Sequence, residues 1–184
     1  MKLNEVLDIA VMYLGLDGEI KTTGENRTPV TNPKLRTLIK CANVVYSEIA
    51  SDYMRLPFKE EITAVEGRIV FTSFTRRVID VVSVRKDGAV VPFTVYPDYL
   101  EVDADGALEI KYHYLPNELE LDSDIAAGIS LTIATFAAGI AGEYALINGM
   151  YEESVAYERK FKEGILSNLQ SARPKYLKCG RWLR

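Results

Sequence analysis

His113 is the only histidine of the chain and the first place to look for acid–base or nucleophilic chemistry. It stands in the alternating run Lys111-Tyr112-His113-Tyr114, which reads as a strand, so packing or exposure on a sheet is expected of it rather than catalysis. A catalytic triad built on His113 needs a serine and an acid that sequence spacing does not place. Asp103-Ala104-Asp105-Gly106 matches the first positions of a calcium loop. The twelfth position, where such a loop requires a bidentate glutamate, holds Tyr114, so a turn is expected instead. The acid pairs Glu60-Glu61 and Glu152-Glu153 have no companion motif and read as solvated surface. Cys41 falls within an apolar helical stripe and reads as a small core residue. Its distance in sequence from Cys179 argues against a disulfide framework and for a reducing compartment. No Gly-rich phosphate loop, dinucleotide fingerprint or His-Glu-x-x-His zinc motif is present, so neither an enzyme nor a cofactor or metal site is expected.

The elements that would have to position any site are those of an ordinary globular chain. There are 184 residues, 48% of them hydrophobic and 26% charged, enough for a sizeable core. The net charge is −4, unevenly spread. Residues 173–184 carry five cations and no acid, and setting those five aside takes the rest of the chain from −4 to −9. An acidic body with a basic end suggests that the end has its own partner. No signal peptide is expected, because Met1-Lys2 leads directly into an amphipathic pattern.

Leu3, Val6, Leu7, Ala10, Val11 and Leu14 recur at helical spacing and predict a first helix. Residues 15–31, rich in glycine and polar residues, read as a loop, with ordering on assembly one option and no role assigned. Asn32-Pro33 is a helix start, and Leu35 to Tyr53 carries the stripe of a second helix, stopped by Pro57. From 58 to 116 the period is two. Three hairpins are expected, turning at Glu66-Gly67, Lys86-Asp87-Gly88 and Asp105-Gly106. A third helix is expected from Ile125 to Asn148, capped by Asp122-Ser123-Asp124, and a fourth from Tyr151 to Leu169. The resulting fold class is α+β. It is expected as a four-helix bundle, two helices N-terminal and two C-terminal, with an inserted antiparallel β module and an extended C-terminal arm. The bundle would occupy 1–57 and 117–172, the module 58–116 and the arm 173–184.

Residues 125–142 carry no charge, which raises the question of a membrane span. Only six of the eighteen are large and apolar, so a buried helix is expected and no membrane partner. The small residues Gly128, Thr132, Thr135, Gly139 and Gly142 flank its apolar stripe and are the candidates for close packing against a neighbouring subunit.

The basic end interleaves Arg173, Lys175, Lys178, Arg181 and Arg184 with the apolar Tyr176, Leu177, Trp182 and Leu183. An arm that touches only DNA phosphates has no need of that apolar set. Tryptophan and arginine are frequent interface anchors, so a protein-docking arm is favoured over a nucleic-acid-binding module or a frayed terminus.

Three segments carry a family resemblance. They are Val95-Tyr96-Pro97-Asp98-Tyr99 with Ile110-Lys111-Tyr112-His113-Tyr114-Leu115-Pro116, the stretch from Ala141-Gly142-Glu143-Tyr144 through Met150-Tyr151-Glu152-Glu153-Ser154, and Gly180-Arg181-Trp182-Leu183-Arg184. In their order the chain resembles the head-to-tail connector (adaptor) proteins of tailed bacteriophages. The resemblance implies a structural virion protein at the neck, made in the host cytoplasm. It implies a dodecameric ring of copies of itself below the portal protein, with residues 173–184 as the portal-docking arm. It also implies a further neck or tail protein as a partner, and DNA that passes through the lumen without specific binding.

Overall fold

In the computed structural model, which describes residues 1–126, 129 and 131–172, the chain builds four α-helices and seven β-strands in two antiparallel sheets. The helices form where apolar spacing and caps coincide. Helix α1 (Leu3–Tyr13) buries Leu3, Val6, Leu7, Ala10 and Val11 along one face. Helix α2 (Pro33–Glu48) starts as its sequence dictates: the Asn32 carboxamide oxygen accepts the N–H groups of Lys34 at 3.0 Å and Leu35 at 3.3 Å. It runs on into a single π-helical turn, Ile49–Tyr53. Helix α3 (Ile133–Ile147) is followed, after the left-handed Gly149, by α4 (Tyr151–Ala172).

The third helix starts eight residues later than its uncharged stretch suggests. Its cap is Thr132, whose hydroxyl accepts the Thr135 N–H at 3.2 Å. Upstream, the backbone is already committed to the N terminus of the chain. Leu3 N–H donates to the Ser123 carbonyl and Ile125 N–H to the Met1 carbonyl, both at 3.0 Å, while the Ala126 N–H donates to the Tyr46 hydroxyl. Leu119, Leu121, Ile125 and Ile129 fill the helical core from this irregular segment.

Loop 15–31 is held on the body of the chain by its own contacts. Ile20 is in the core and Thr22 is fully buried, its hydroxyl bonded to the Asp8 carboxylate and to the Asn4 carbonyl. Arg27 grips Asp122 with two bonds of 2.7 and 2.9 Å.

The first sheet has the strand order β1 (Pro57–Ala64), β7 (Gly106–Leu115), β3 (Arg77–Lys86), β4 (Ala89–Val91). The second has the order β2 (Arg68–Val70), β6 (Tyr99–Val102), β5 (Phe93–Val95). Inward-facing Ile62, Val84, Leu108, Ile110 and Tyr112 of the first sheet meet Ile69, Leu100 and Val102 of the second in a core of their own. Of the three expected hairpins, only β3–β4 forms as such, through Asp87 and Gly88, both at positive φ. The Glu66-Gly67 turn exists, but its strands part after the Val65–Arg68 bridge, β1 to β7 and β2 to β6. The third expected pairing fails because β6 and β7 lie in different sheets. Asp105 joins the two turns instead, its carboxylate accepting the Gly67 N–H at 2.7 Å. Gly67 is required there: it sits at φ +69°, and a Cβ would stand 3.0 Å from the Val102 carbonyl oxygen.

The expected four-helix bundle with one inserted module is therefore corrected. The helices do not pair as two N-terminal and two C-terminal members. They gather on α3, against which α1, α2 and α4 each pack. The β residues do not make one meander but two sheets that enclose a separate core. Tyr114 packs against both cores, and the Arg76 guanidinium lies over its ring and that of Phe58, 4.2 and 4.0 Å from their centroids. The expected extended arm, residues 173–184, lies outside the described residues.

Candidate interaction surface

Helix α3 brings its small residues to the other helices of the same chain. Thr135, Gly139 and Gly142 are all buried. At Gly139 an added Cβ would fall 2.8 Å from Val45 Cγ1 of α2 and 2.9 Å from Phe161 Cδ2 of α4. Thr135 occupies the space that a side chain at Gly164 of α4 would need, with only 2.5 Å from such a Cβ to Oγ1. Gly142 lies under the backbone of α4, 3.4 Å from the Glu158 nitrogen by the same measure. This is a correction to the sequence reading: Thr135, Gly139 and Gly142 are spent within the chain, against α2 and α4. Thr132 is the exposed cap of α3, and Gly128 lies outside the described residues.

What α3 and α4 leave to solvent is a different set, missed in the sequence. Ile147 ends α3, Tyr151 begins α4 and Val155 follows one turn on, with exposures of 63%, 68% and 64%. Leu146 beside them is also exposed, and Leu166 continues the apolar face further down α4. The signal was present, because Tyr151, Val155 and Leu166 are large apolar residues in a helix rich in charged ones. Their spacing is equally that of a core stripe, and Phe161 and Ile165 take that role.

On the sheets, the acid that His113 would need is Asp80: Nδ1 of the imidazole lies 2.7 Å from its Oδ1. The partner strands β7 and β3 set this pair side by side in register, and Arg55 reaches the same Asp80 oxygen at 3.1 Å. Among the described residues no serine, threonine or cysteine hydrogen-bonds to the imidazole, so the arrangement orients a histidine without joining it to a nucleophile.

Two other groups are tuned by burial. Burial, then the Glu143 charge, pushes the Cys41 thiol up to about 11, which makes it a core group and not a nucleophile. Burial by itself would raise the Glu60 carboxyl. Hydrogen bonds from Thr75 and from Tyr112, the latter 2.6 Å long, together with the Arg76 charge, bring it below its ordinary value instead. Glu60 thus ties β1 to β7 and to the 71–76 connection. That is a structural duty, unlike the solvated one expected of it.

Among the described residues, no helix is long and apolar enough to cross a membrane. No family model matches the chain, and no curated protein matches it.

Proposed function

We propose that this chain is a structural subunit of a phage head-to-tail connector, assembled as a ring of copies of itself that docks on the portal protein, meets a further neck or tail protein and lets DNA pass without specific binding. The observation that carries the reading is the exposed apolar run at the α3–α4 turn, Ile147, Tyr151 and Val155. Solvent-facing apolar side chains of this size, close together in the chain, mark a contact surface. A cyclic ring needs two different complementary faces on each subunit, and this run supplies one of them. The basic, aromatic segment from Arg173 to Arg184 supplies the portal contact, strengthened by repetition around the ring.

The test is particle imaging of the purified chain mixed with its candidate portal, with and without the substitution pair Tyr151→Asp and Val155→Asp. Rings on portals with the native chain, lost in the double variant while its circular dichroism is unchanged, are the expected result. A native chain that stays monomeric beside the portal overturns the reading. The five cations of residues 173–184 favour one rival, a nucleic-acid-binding module. That rival predicts DNA affinity that falls steeply with salt, whereas the connector reading predicts weak binding at every salt concentration.

A further inference from the structure

Between α2, α3 and α4 lies a cleft of about 160 Å³. Val45 and Phe161 give it an apolar floor, and each helix contributes one carboxylate to its rim, Glu48, Glu143 and Glu158. Ser154, 7% exposed, opens onto the same cleft, and its hydroxyl has no hydrogen-bond partner among the described residues. The rim charges are only partly compensated from within: Glu158 bonds Lys162, whose charge also acts on Glu48, and Glu48 accepts a 3.4 Å hydrogen bond from the Tyr53 hydroxyl. Burial, then the charges of Glu143 and Asp52, raises the Glu48 carboxyl above its ordinary value. Such a cleft fits an arginine or lysine side chain, with its aliphatic stem along the floor and its cationic head among the carboxylates and the Ser154 hydroxyl.

We propose that this cleft receives the basic C-terminal segment of its own chain, residues 173–184, and so holds it on the helical body. Charge complementarity selects that occupant, because the segment carries five cations and no acid against three rim carboxylates. Reach permits it. From Ser154 to Ala172 helix α4 rises about 27 Å, and the twelve residues that follow span up to about 40 Å when extended. The segment can therefore turn back along α4 and still bring Arg181 and Arg184 to the rim. The inference goes beyond the ring reading and stands without it. If both hold, docking on a partner has to exchange this contact for another.

Trp182 is the only tryptophan of the chain, so it reports on the segment directly. Trp182 emission and acrylamide quenching are measured on the full chain, on the variant pair Glu48→Gln with Glu143→Gln, and on the variant pair Arg181→Glu with Arg184→Glu, which leaves the described body untouched. The native chain is expected to show blue-shifted, protected emission that does not change on dilution. Both variant pairs, and the native chain in high salt, are expected to lose that protection to the level seen in urea while keeping native circular dichroism. Native emission as quenchable as in urea overturns the proposal, as does protection untouched in the charge-reversed segment. Protection that fades on dilution overturns it too, by moving the segment to a second copy.

Discussion

Replacing Gly164 by alanine sets two physical effects of opposite sign against each other. In an open helix the change is stabilising by about 1 kcal/mol, because alanine loses less backbone freedom on folding. Here the new Cβ would lie 2.5 Å from Thr135 Oγ1, 2.6 Å from Cγ2 and 3.1 Å from Cβ. Thr135 has little room to withdraw, since it is buried in the first turn of α3 with its hydroxyl 2.8 Å from that of Thr132. Helices α3 and α4 must move apart, and overpacking of this kind costs about 1–3 kcal/mol. The net expectation for Gly164→Ala is a loss of up to about 2 kcal/mol, which should lower the urea midpoint with an unchanged slope. In a Thr135→Ala background the two nearest atoms are gone and only Cβ remains, at 3.1 Å, so the same substitution should be close to neutral, within about 1 kcal/mol. The double-mutant cycle then yields a coupling of about 2 kcal/mol between the two sites. A stabilised single variant, or a cycle that adds without coupling, would refute the close α3–α4 approach and with it the assignment of the small residues to intrachain packing.

Tyr112→Phe removes the hydroxyl that donates to Glu60 and should cost about 1 kcal/mol in urea unfolding. The Glu60 carboxyl is held below its ordinary value in the folded state, so its contribution is complete above the unfolded carboxylate range and is lost as pH falls through the folded value. The variant should accordingly show a smaller drop in stability on acidification, and an equal drop would place the acid sensitivity elsewhere. Asp122→Asn weakens the grip of Arg27, and hydrogen exchange should rise within residues 15–31 and not in the sheets. Asp122 is held below its ordinary value by that bond, so acidification of the native protein should produce the same local loosening. Cys41, with its thiol pushed up to about 11, should resist a thiol reagent at neutral pH in a Cys179→Ser background and react only on unfolding. Fast labelling of the native protein would show that α2 is not packed as described.

What the chain determines by itself is local. The Asn32-Pro33 start of α2, the apolar face of α1 and the β3–β4 turn follow from a cap, a period and two positive-φ positions, each set by residues a few places apart. The absence of phosphate, dinucleotide and zinc motifs is equally a property of the letters alone. Partnership was decided only by the tertiary structure. The alternation of β1, β2, β6 and β7 says which face is buried but not which strand lies alongside, so two of the three adjacent-strand pairings went to more distant partners. The uncharged stretch has a helical spacing from Ile125 onward, yet the Ile125 and Ala126 N–H groups bond Met1 and Tyr46, and α3 begins only at Ile133. The small residues of α3 show the same division: their spacing announces a close approach, and only the packed chain reveals that the approaching helices are α2 and α4 of the same molecule. The exposed run at Ile147, Tyr151 and Val155 could not be told from a core stripe for the same physical reason. An apolar stripe records that burial is favourable, and whether the chain or a partner provides it depends on what the fold has already brought near.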